Sequence, residues 1–237
     1  MVALLDIEGT VCSISFVKDT LYPYFLEAYP STISKIHFPI SADKDELSAI
    51  LSGFPELAKQ SKDALQDHIS HLVSNDIKDP VLKSFQGKVW KLGYEKGDLK
   101  APIYSDAIEF LERNKDTYIY SSGSVAAQKL LFSHVEVDGQ LVDLTSKLAG
   151  YFDITTSGYK QEPQSYENIT KTIGVAAETI VFYSDNINEI KAAHTAGLKT
   201  RLVVRPGNEP VLEAEKKPFK VISTFANEWI TTCHAWT

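Results

Sequence analysis

The sequence has few cysteines, no surplus of basic residues and no long apolar run. Its two cysteines, Cys12 and Cys233, lie far apart and no apolar signal segment is seen, so we expect reduced thiols in a cytoplasmic protein. Lysine and arginine number 24 against 31 aspartates and glutamates, a net charge of -7, whereas nucleic-acid binders carry clustered basic side chains. No stretch approaches the ~20 apolar residues of a membrane span. We therefore expect neither nucleic acid nor a membrane as a partner.

The composition is that of a globular protein with room for more than one compact unit. Of its 237 residues, 43% are hydrophobic and 23% are charged, which is ordinary for a folded protein. The length exceeds the roughly 100 to 150 residues at which single domains are commonest. One domain with a large insertion, or two domains, is therefore expected.

The hydrophobic pattern changes twice along the chain. Residues 2–7 form a short apolar run, typical of a strand buried on both faces. Residues 14–98 show helical periodicity, and from about residue 103 helical and strand-like stretches alternate, which predicts βαβ units. We therefore predict an α/β fold, with a doubly wound parallel sheet formed by residues 1–13 and 99–237 and an inserted α-helical cap at residues 14–98. The predicted helices of the sheet domain are 106–114, 125–134, 166–173 and 188–196, and its later strands are 117–120, 152–155, 180–184 and 200–204.

Polar residues occur where the predicted strands end. Ligands of doubly wound sheets bind outside these carboxyl ends. Carboxylate oxygens suit Mg²⁺, and such an ion together with a lysine offsets the charge of a phosphoryl group. The pattern predicts a site for one Mg²⁺ ion and a small-molecule phosphate ester. The residues concerned are Asp6, Glu8, Ser121, Ser122, Lys160, Ser184, Asp185 and Glu189.

Four short motifs resemble those of the haloacid dehalogenase (HAD) phosphatases. Asp-Ile-Glu-Gly-Thr at 6–10 is similar to the first motif, Ser122-Gly123 to the second, Lys160 to the third and Ser-Asp-Asn at 184–186 to the fourth. They occur in the right order and span nearly the whole chain. The resemblance implies a HAD-like core with a cap, and Mg²⁺-dependent phosphatase activity.

A narrower resemblance is to the enolase-phosphatases of methionine salvage. It rests on glutamate at position 8 and on Tyr-Ser-Ser-Gly-Ser at 120–124, Gly-Tyr-Phe-Asp at 150–153, Gln-Ser-Tyr at 164–166 and Val-Arg-Pro-Gly-Asn at 204–208. It implies that 2,3-diketo-5-methylthiopentyl-1-phosphate is enolised and then dephosphorylated to an acireductone. We further expect a monomer, located in the cytoplasm and also in the nucleus.

Two acidic residues of the first motif have distinct expected roles. Asp6 ends the strand and is the candidate nucleophile, because a carboxylate can attack phosphorus once a cation screens the charge. Glu8 can protonate the leaving oxygen and then take a proton from the attacking water. Most HAD phosphatases have aspartate at this position. Because the glutamate side chain is longer, either the Glu8 carboxylate or its main-chain carbonyl serves the metal. Asp6, Glu8 and Asp185 are the expected metal ligands.

The remaining candidates are expected to hold the phosphate. Ser122, Ser121 and the backbone N–H of Gly123 precede a predicted helix, where an anion is favoured, although helix capping uses the same groups. Lys160 supplies positive charge for the phosphoryl group and for Asp6, although a surface lysine is the common alternative. Glu189, one turn beyond Asp185, is a weaker and more distant candidate.

Two other functions fit parts of the pattern. A general HAD phosphatase for another small phosphate ester would share the fold and the site, and it would differ in lacking the enolisation step. A receiver-like switch would also use a strand-end aspartate and Mg²⁺. An acid/base residue at Glu8 and the insertion at residues 14–98 argue against the switch, because a signalling domain needs neither.

Overall fold

The structure is a computed structural model that describes residues 1–228 and consists of two compact units. Within these residues, one unit is formed by 1–16 together with 100–228, and the other by Val17–Leu99. The predicted insertion, residues 14–98, differs from the second unit by three residues at its start and by one at its end. Cys233 lies outside the described residues.

The first unit contains a six-stranded parallel sheet. Its strand order is β5-β2-β1-β6-β7-β8, so that the chain builds outward from β1 on one side and later returns to the other. The strands are β1 (Val2–Leu5), β2 (Thr117–Tyr120), β5 (Gly150–Phe152), β6 (Ile180–Ser184), β7 (Lys199–Val203) and β8 (Lys220–Ile222), while β3 (Val135–Val137) and β4 (Gln140–Val142) form a separate antiparallel hairpin.

Helices cover both faces of this sheet. On one face Leu4 and Phe182 pack against Tyr166 and Ile190 of two helices. On the other face Tyr183 contacts Phe110 at a ring-centroid distance of 5.7 Å. All four residues of β1 are buried, which explains its continuous apolar run. The predicted doubly wound α/β fold is therefore confirmed. The helices of this unit are α5 (Ser105–Arg113), α6 (Val125–Phe132), α7 (Pro163–Ile173), α8 (Ile187–Thr195) and α9 (Glu213–Lys216).

The second unit is helical. Its longest helix begins after Asp79, whose side chain accepts the Leu82 N–H at 2.8 Å, and it ends at Gly97 in the left-handed conformation. Phe25 and Phe85 are fully buried and meet edge to face in its core. Its α-helices are α1 (Tyr22–Ile33), α2 (Glu46–Leu51), α3 (Lys62–Ser74) and α4 (Pro80–Lys96).

Several predicted bounds in the first unit are wrong for local reasons. The first strand ends at Leu5 instead of residue 7, because the Ile7 carbonyl already accepts the N–H groups of Thr10, Val11 and Cys12 in a tight loop. Strand β5 lies at Gly150–Phe152 instead of 152–155, because Asp153 turns the chain by bonding Thr155 and Thr156. The short hairpin and β8 are not predicted. Among residues 1–228, no helix is both long enough and apolar enough to cross a membrane.

Candidate active site

Asp6 follows β1 at the point where the order of the sheet reverses. Its neighbours in the sheet are β2 and β6, which the chain reaches on opposite sides of β1. The Asp6 N–H donates to the Tyr183 carbonyl of β6 at 2.9 Å, so the backbone at Asp6 is still held by the sheet. Such a reversal leaves a crevice at the carboxyl ends of the strands, where doubly wound folds bind their ligands.

Lys160 pairs with two buried carboxylates at this position. Its Nζ lies 2.6 Å from Asp6 Oδ1 and 2.8 Å from Glu189 Oε2. The Ser184 hydroxyl lies 2.8 Å from Glu189 Oε2 and 3.2 Å from Asp6 Oδ2. The lysine is 8% exposed, so the alternative of a surface lysine is wrong. The four side chains form one connected cluster around Asp6.

The charges of this cluster are unbalanced. Burial alone would favour the neutral amine of Lys160, but Asp6 and Glu189 hold its pKa above the ordinary value. Burial, followed by the charge of Asp6, raises the pKa of Glu189 to about 7 in spite of Lys160. Burial and then Asp6 likewise raise the pKa of Asp185 to about 7. One lysine therefore faces more negative charge than it can neutralise.

Gly9 brings the loop after β1 against Asp185. Its φ is +72°, and a Cβ at this position would lie 2.3 Å from Asp185 Oδ2. The contact requires glycine for both reasons, conformation and space. It places the first and fourth predicted motifs side by side at the carboxyl ends of β1 and β6.

Glu8 lies between Asp6 and Gly9 and is half-buried. Burial, and then the charge of Asp6, raises the pKa of its carboxyl group. Its side chain makes no hydrogen bond or ion pair to another side chain within residues 1–228. A carboxyl group whose pKa is raised, next to the nucleophile, suits a general acid.

The loop of residues 121–124, called the serine loop, follows β2, and β2 pairs with β1 in the sheet. The Gly123 N–H donates to Ser121 Oγ at 3.2 Å, and Ser124 caps α6. These donors are therefore engaged within the loop, and the exposed Ser122 hydroxyl is left open. In the described part of the chain, no hydrogen bond joins this loop to Asp6 or Lys160.

Asp153 and Gln128 stabilise the serine loop through hydrogen bonds to its backbone and to the start of α6. One Asp153 oxygen accepts the Val125 N–H at the start of α6 at 3.0 Å. Gln128 donates to the carbonyls of Gly123 and Phe152, at 2.8 and 2.9 Å. Both residues tie the loop after β2 to the end of β5.

Glu189 lies closer to Asp6 and Lys160 than predicted, and Gln128 supports the site although the sequence does not single it out. Glu189 contacts Lys160 directly instead of lying farther away, and its position one helical turn after Asp185 was the available signal. Cys12 is fully buried, and burial followed by the charge of Glu8 raises the pKa of its thiol to about 12. It is therefore a packing residue and not a nucleophile.

The carboxylates do not form a ready-made cage for a metal ion. Across residues 1–228, no group of three or more His, Cys, Asp or Glu side chains is arranged to hold one. The excess negative charge of Asp6, Asp185 and Glu189 around Lys160 nonetheless suits a divalent cation, which prefers oxygen ligands. Two of these carboxylates and a main-chain carbonyl would meet that preference without a third side chain.

Comparisons with known proteins agree on one family. A family model described as haloacid dehalogenase-like hydrolase matches residues 1–197. The chain is 59% identical to enolase-phosphatase E1 of Clavispora lusitaniae over 96% of this chain and 99% of that protein. It is 52% identical to enolase-phosphatase E1 of Debaryomyces hansenii, over 94% of each chain.

Solved structures resemble the chain in the same way. The crystal structure of the UTR4 protein from Saccharomyces cerevisiae is 47% identical, with a TM-score of 0.85 over 96% of this chain and 99% of that one. A crystal structure of CbbY from Rhodobacter sphaeroides with phosphate, 15% identical with a TM-score of 0.57 over 96% of each chain, shares the fold alone. The chain belongs to the haloacid dehalogenase-like hydrolases and, among them, to the enolase-phosphatases.

Proposed function

We propose that this chain is an acireductone synthase in which Asp6 is the phosphate-accepting nucleophile. The substrate is 2,3-diketo-5-methylthiopentyl-1-phosphate, and the products are 1,2-dihydroxy-3-keto-5-methylthiopentene and phosphate. The observation that carries the proposal is the buried Asp6 carboxylate held between Lys160 and Ser184, at distances of 2.6 and 3.2 Å. Membership of the enolase-phosphatases supplies the reaction.

The phosphatase half proceeds through a covalent intermediate. A carboxylate oxygen of Asp6 attacks phosphorus, and the bond from phosphorus to the ester oxygen breaks. Glu8 gives its proton to the departing oxygen. It then takes a proton from water as that water attacks the aspartyl phosphate, which releases phosphate and restores Asp6. The raised pKa of Glu8 supports this role, because a protonated carboxyl group is needed first.

HAD-like hydrolases generally use Mg²⁺, and we propose one ion per chain. Asp6, Asp185 and Glu8 would hold it, with Glu8 contributing its main-chain carbonyl so that its carboxyl group stays available for proton transfer. When bound, the ion offsets the negative charge of the phosphoryl group and the enolate. The proximity of Gly9 to Asp185 supports this ligand set.

Lys160, Ser121, Ser122 and Gly123 would bind the phosphate. The exposed Ser122 hydroxyl is free to donate, and the Gly123 N–H, which donates to Ser121 Oγ, lies in the same loop. Lys160 stabilises the negative charge that is shared between Asp6 and the transferring group. We also propose that the chain works as a monomer in the cytoplasm and the nucleus, without nucleic-acid or membrane partners.

The experiment that tests this function follows two products at once. Purified protein is mixed with the diketo substrate with and without Mg²⁺, and the ultraviolet absorbance of the enol is recorded alongside phosphate release. A phosphate ester that cannot enolise serves as the control. We expect Mg²⁺-dependent enol absorbance that precedes phosphate. Phosphate release without prior enol formation would instead identify a general HAD phosphatase.

A further inference from the structure

The segment Val-Arg-Pro-Gly-Asn at 204–208 forms a tight turn after β7. The Asn208 N–H donates to the Arg205 carbonyl at 3.2 Å, and Gly207 has a φ of +87°. Proline at the second position and glycine in the left-handed conformation at the third are the signature of a type II turn. The turn places the side chains of Arg205 and Asn208 three residues apart at one end of the sheet.

Both side chains bind the loop that follows Asp6. Asn208 Nδ2 lies 2.9 Å from the Gly9 carbonyl and 3.4 Å from the Val203 carbonyl, so its amide nitrogen faces two acceptors. Arg205 Nε donates to the Thr10 carbonyl at 3.1 Å. The carbonyls of Gly9 and Thr10 are therefore bonded by side chains from outside the loop. The bond from Arg205 is charge-assisted.

Arg205 is itself fixed in place. Its two terminal nitrogens bond the two carboxylate oxygens of Asp106 at 2.9 and 3.0 Å, which is a bidentate pair. The guanidinium lies 4.5 Å from the ring centroid of Tyr104 and 5.4 Å from that of Phe225. Arginine is suited to this combination because it can stack and bond in a fork, whereas lysine cannot.

The contacts that Arg205 and Asn208 make with the loop affect the position of Glu8 more than that of Asp6. The sheet holds the Asp6 backbone through Tyr183, and Lys160 and Ser184 hold its side chain. Glu8 has no side-chain partner of its own within the described residues. Its position therefore depends on the backbone of residues 7–10, which Arg205 and Asn208 hold from outside.

We propose that Arg205 and Asn208 are positioning residues for Glu8, and that they set the direction in which its carboxyl group meets the leaving oxygen. The proposal rests on the general acid role of Glu8 in the proposed function. Loss of either contact would leave Asp6 in place and misdirect the proton. Displacements of about 1 Å in a catalytic group can cost up to about 100-fold in rate.

The test compares two esters that differ mainly in the leaving group. Phenyl phosphate and p-nitrophenyl phosphate have similar shapes, but phenoxide is the more basic group and needs a proton more. The constant kcat/KM reports the steps through departure of the phenol, so its ratio for the two esters measures general acid catalysis. The ratio is determined for wild type, Glu8→Gln, Arg205→Lys and Asn208→Ala, with thermal unfolding recorded for each protein.

Arg201→Lys is the matched control. Arg201 is also partly buried and bonds Glu228 and the Thr200 carbonyl, but it does not contact residues 7–10. We expect Glu8→Gln, Arg205→Lys and Asn208→Ala all to lower the ratio of phenyl to p-nitrophenyl phosphate, the last two by about tenfold. Arg201→Lys should leave the ratio at the wild-type value.

The outcomes separate this proposal from the function on which it rests. If Glu8→Gln lowers the ratio while Arg205→Lys and Asn208→Ala reduce both rates equally, the two residues are structural and the proposal is wrong. If Glu8→Gln itself leaves the ratio unchanged, Glu8 is not the general acid, and the proposed mechanism fails together with this inference.

Discussion

The Lys160 ammonium lies 2.6 Å from Asp6 Oδ1, and both side chains are more than nine-tenths buried. The pair joins the end of β1 to the segment after β5, which lie 154 residues apart in the sequence. Lys160 also contacts Glu189, so one cation holds two carboxylates in a buried site. Without Lys160, the negative charges of Asp6 and Glu189 would repel each other with no cation between them.

Replacement of Lys160 by methionine should therefore abolish most of the phosphatase activity. We expect kcat to fall by about 10² to 10³, because the charge of the transferring phosphoryl group loses a fixed cation. Steady-state phosphate release measures the effect. Lys191→Met is the control, since Lys191 pairs with Glu215 at the surface. Similar kcat values for the two variants would contradict the assigned role.

Replacement of Gly9 by alanine should weaken Mg²⁺ binding in addition to lowering the stability of the fold. Gly174→Ala is the matched control, because Gly174 has a φ of +79° and open space around its Cβ position, whereas a Cβ on Gly9 meets Asp185. Each alanine should cost about 1–2 kcal/mol of stability for the left-handed conformation. Only Gly9→Ala should also weaken Mg²⁺ binding, measured by titration calorimetry. Equal Mg²⁺ affinities would show that the Gly9 contact is irrelevant to the metal.

The stability of the protein should depend on ionised Asp153. Although burial alone would raise its pKa, hydrogen bonds from Thr155, Val125 and Thr156 lower the pKa to about 2. A lowered pKa in the folded state stabilises the protein above the unfolded value of about 3.9, and this contribution is lost as pH falls towards 2.

Asp153→Asn should accordingly lower the free energy of unfolding at pH 7 by about 1–3 kcal/mol. The gap between wild type and variant should shrink as the pH falls from about 4 to 2, which urea unfolding at several pH values would measure. Asp143→Asn is the control, because Asp143 makes a similar contact with Thr145 but is exposed. A gap that does not change with pH would refute the prediction.

Calcium should bind the site and inhibit the enzyme. Ca²⁺ accepts more oxygen ligands at longer distances than Mg²⁺, so it can engage both oxygens of Asp6 and leave neither free to attack. Phosphate release would be measured with Mg²⁺ at a fixed concentration and increasing Ca²⁺. Equal rates with either ion alone would defeat this expectation.

The sequence predicts the parallel sheet and most strand-end residues because both are local signals. The apolar run of β1 and the polar residues directly after it are visible without a structure. The pairing of Lys160 with Glu189 and that of Arg205 with Asp106 are not visible, because they join segments that only the folded sheet brings together. The hairpin β3–β4 is not predicted for another reason, since its three-residue strands contain one buried residue between them and give little periodicity.

Asp6 is the central residue of the proposed mechanism, and the variant Asp6→Asn tests its role. The amide keeps the shape of the side chain but loses its charge and its nucleophilicity, whereas enolisation needs a base beside a carbonyl and a cation near the enolate oxygen. Wild type and variant are each mixed with the diketo substrate and Mg²⁺ in deuterated water, and deuterium entry at the phosphate-bearing carbon is followed separately from phosphate release. We expect the variant to release no phosphate and to retain part of the deuterium exchange. Substantial phosphate release by Asp6→Asn would contradict the aspartyl-phosphate route, and the absence of exchange above buffer in both proteins would contradict the enolase step.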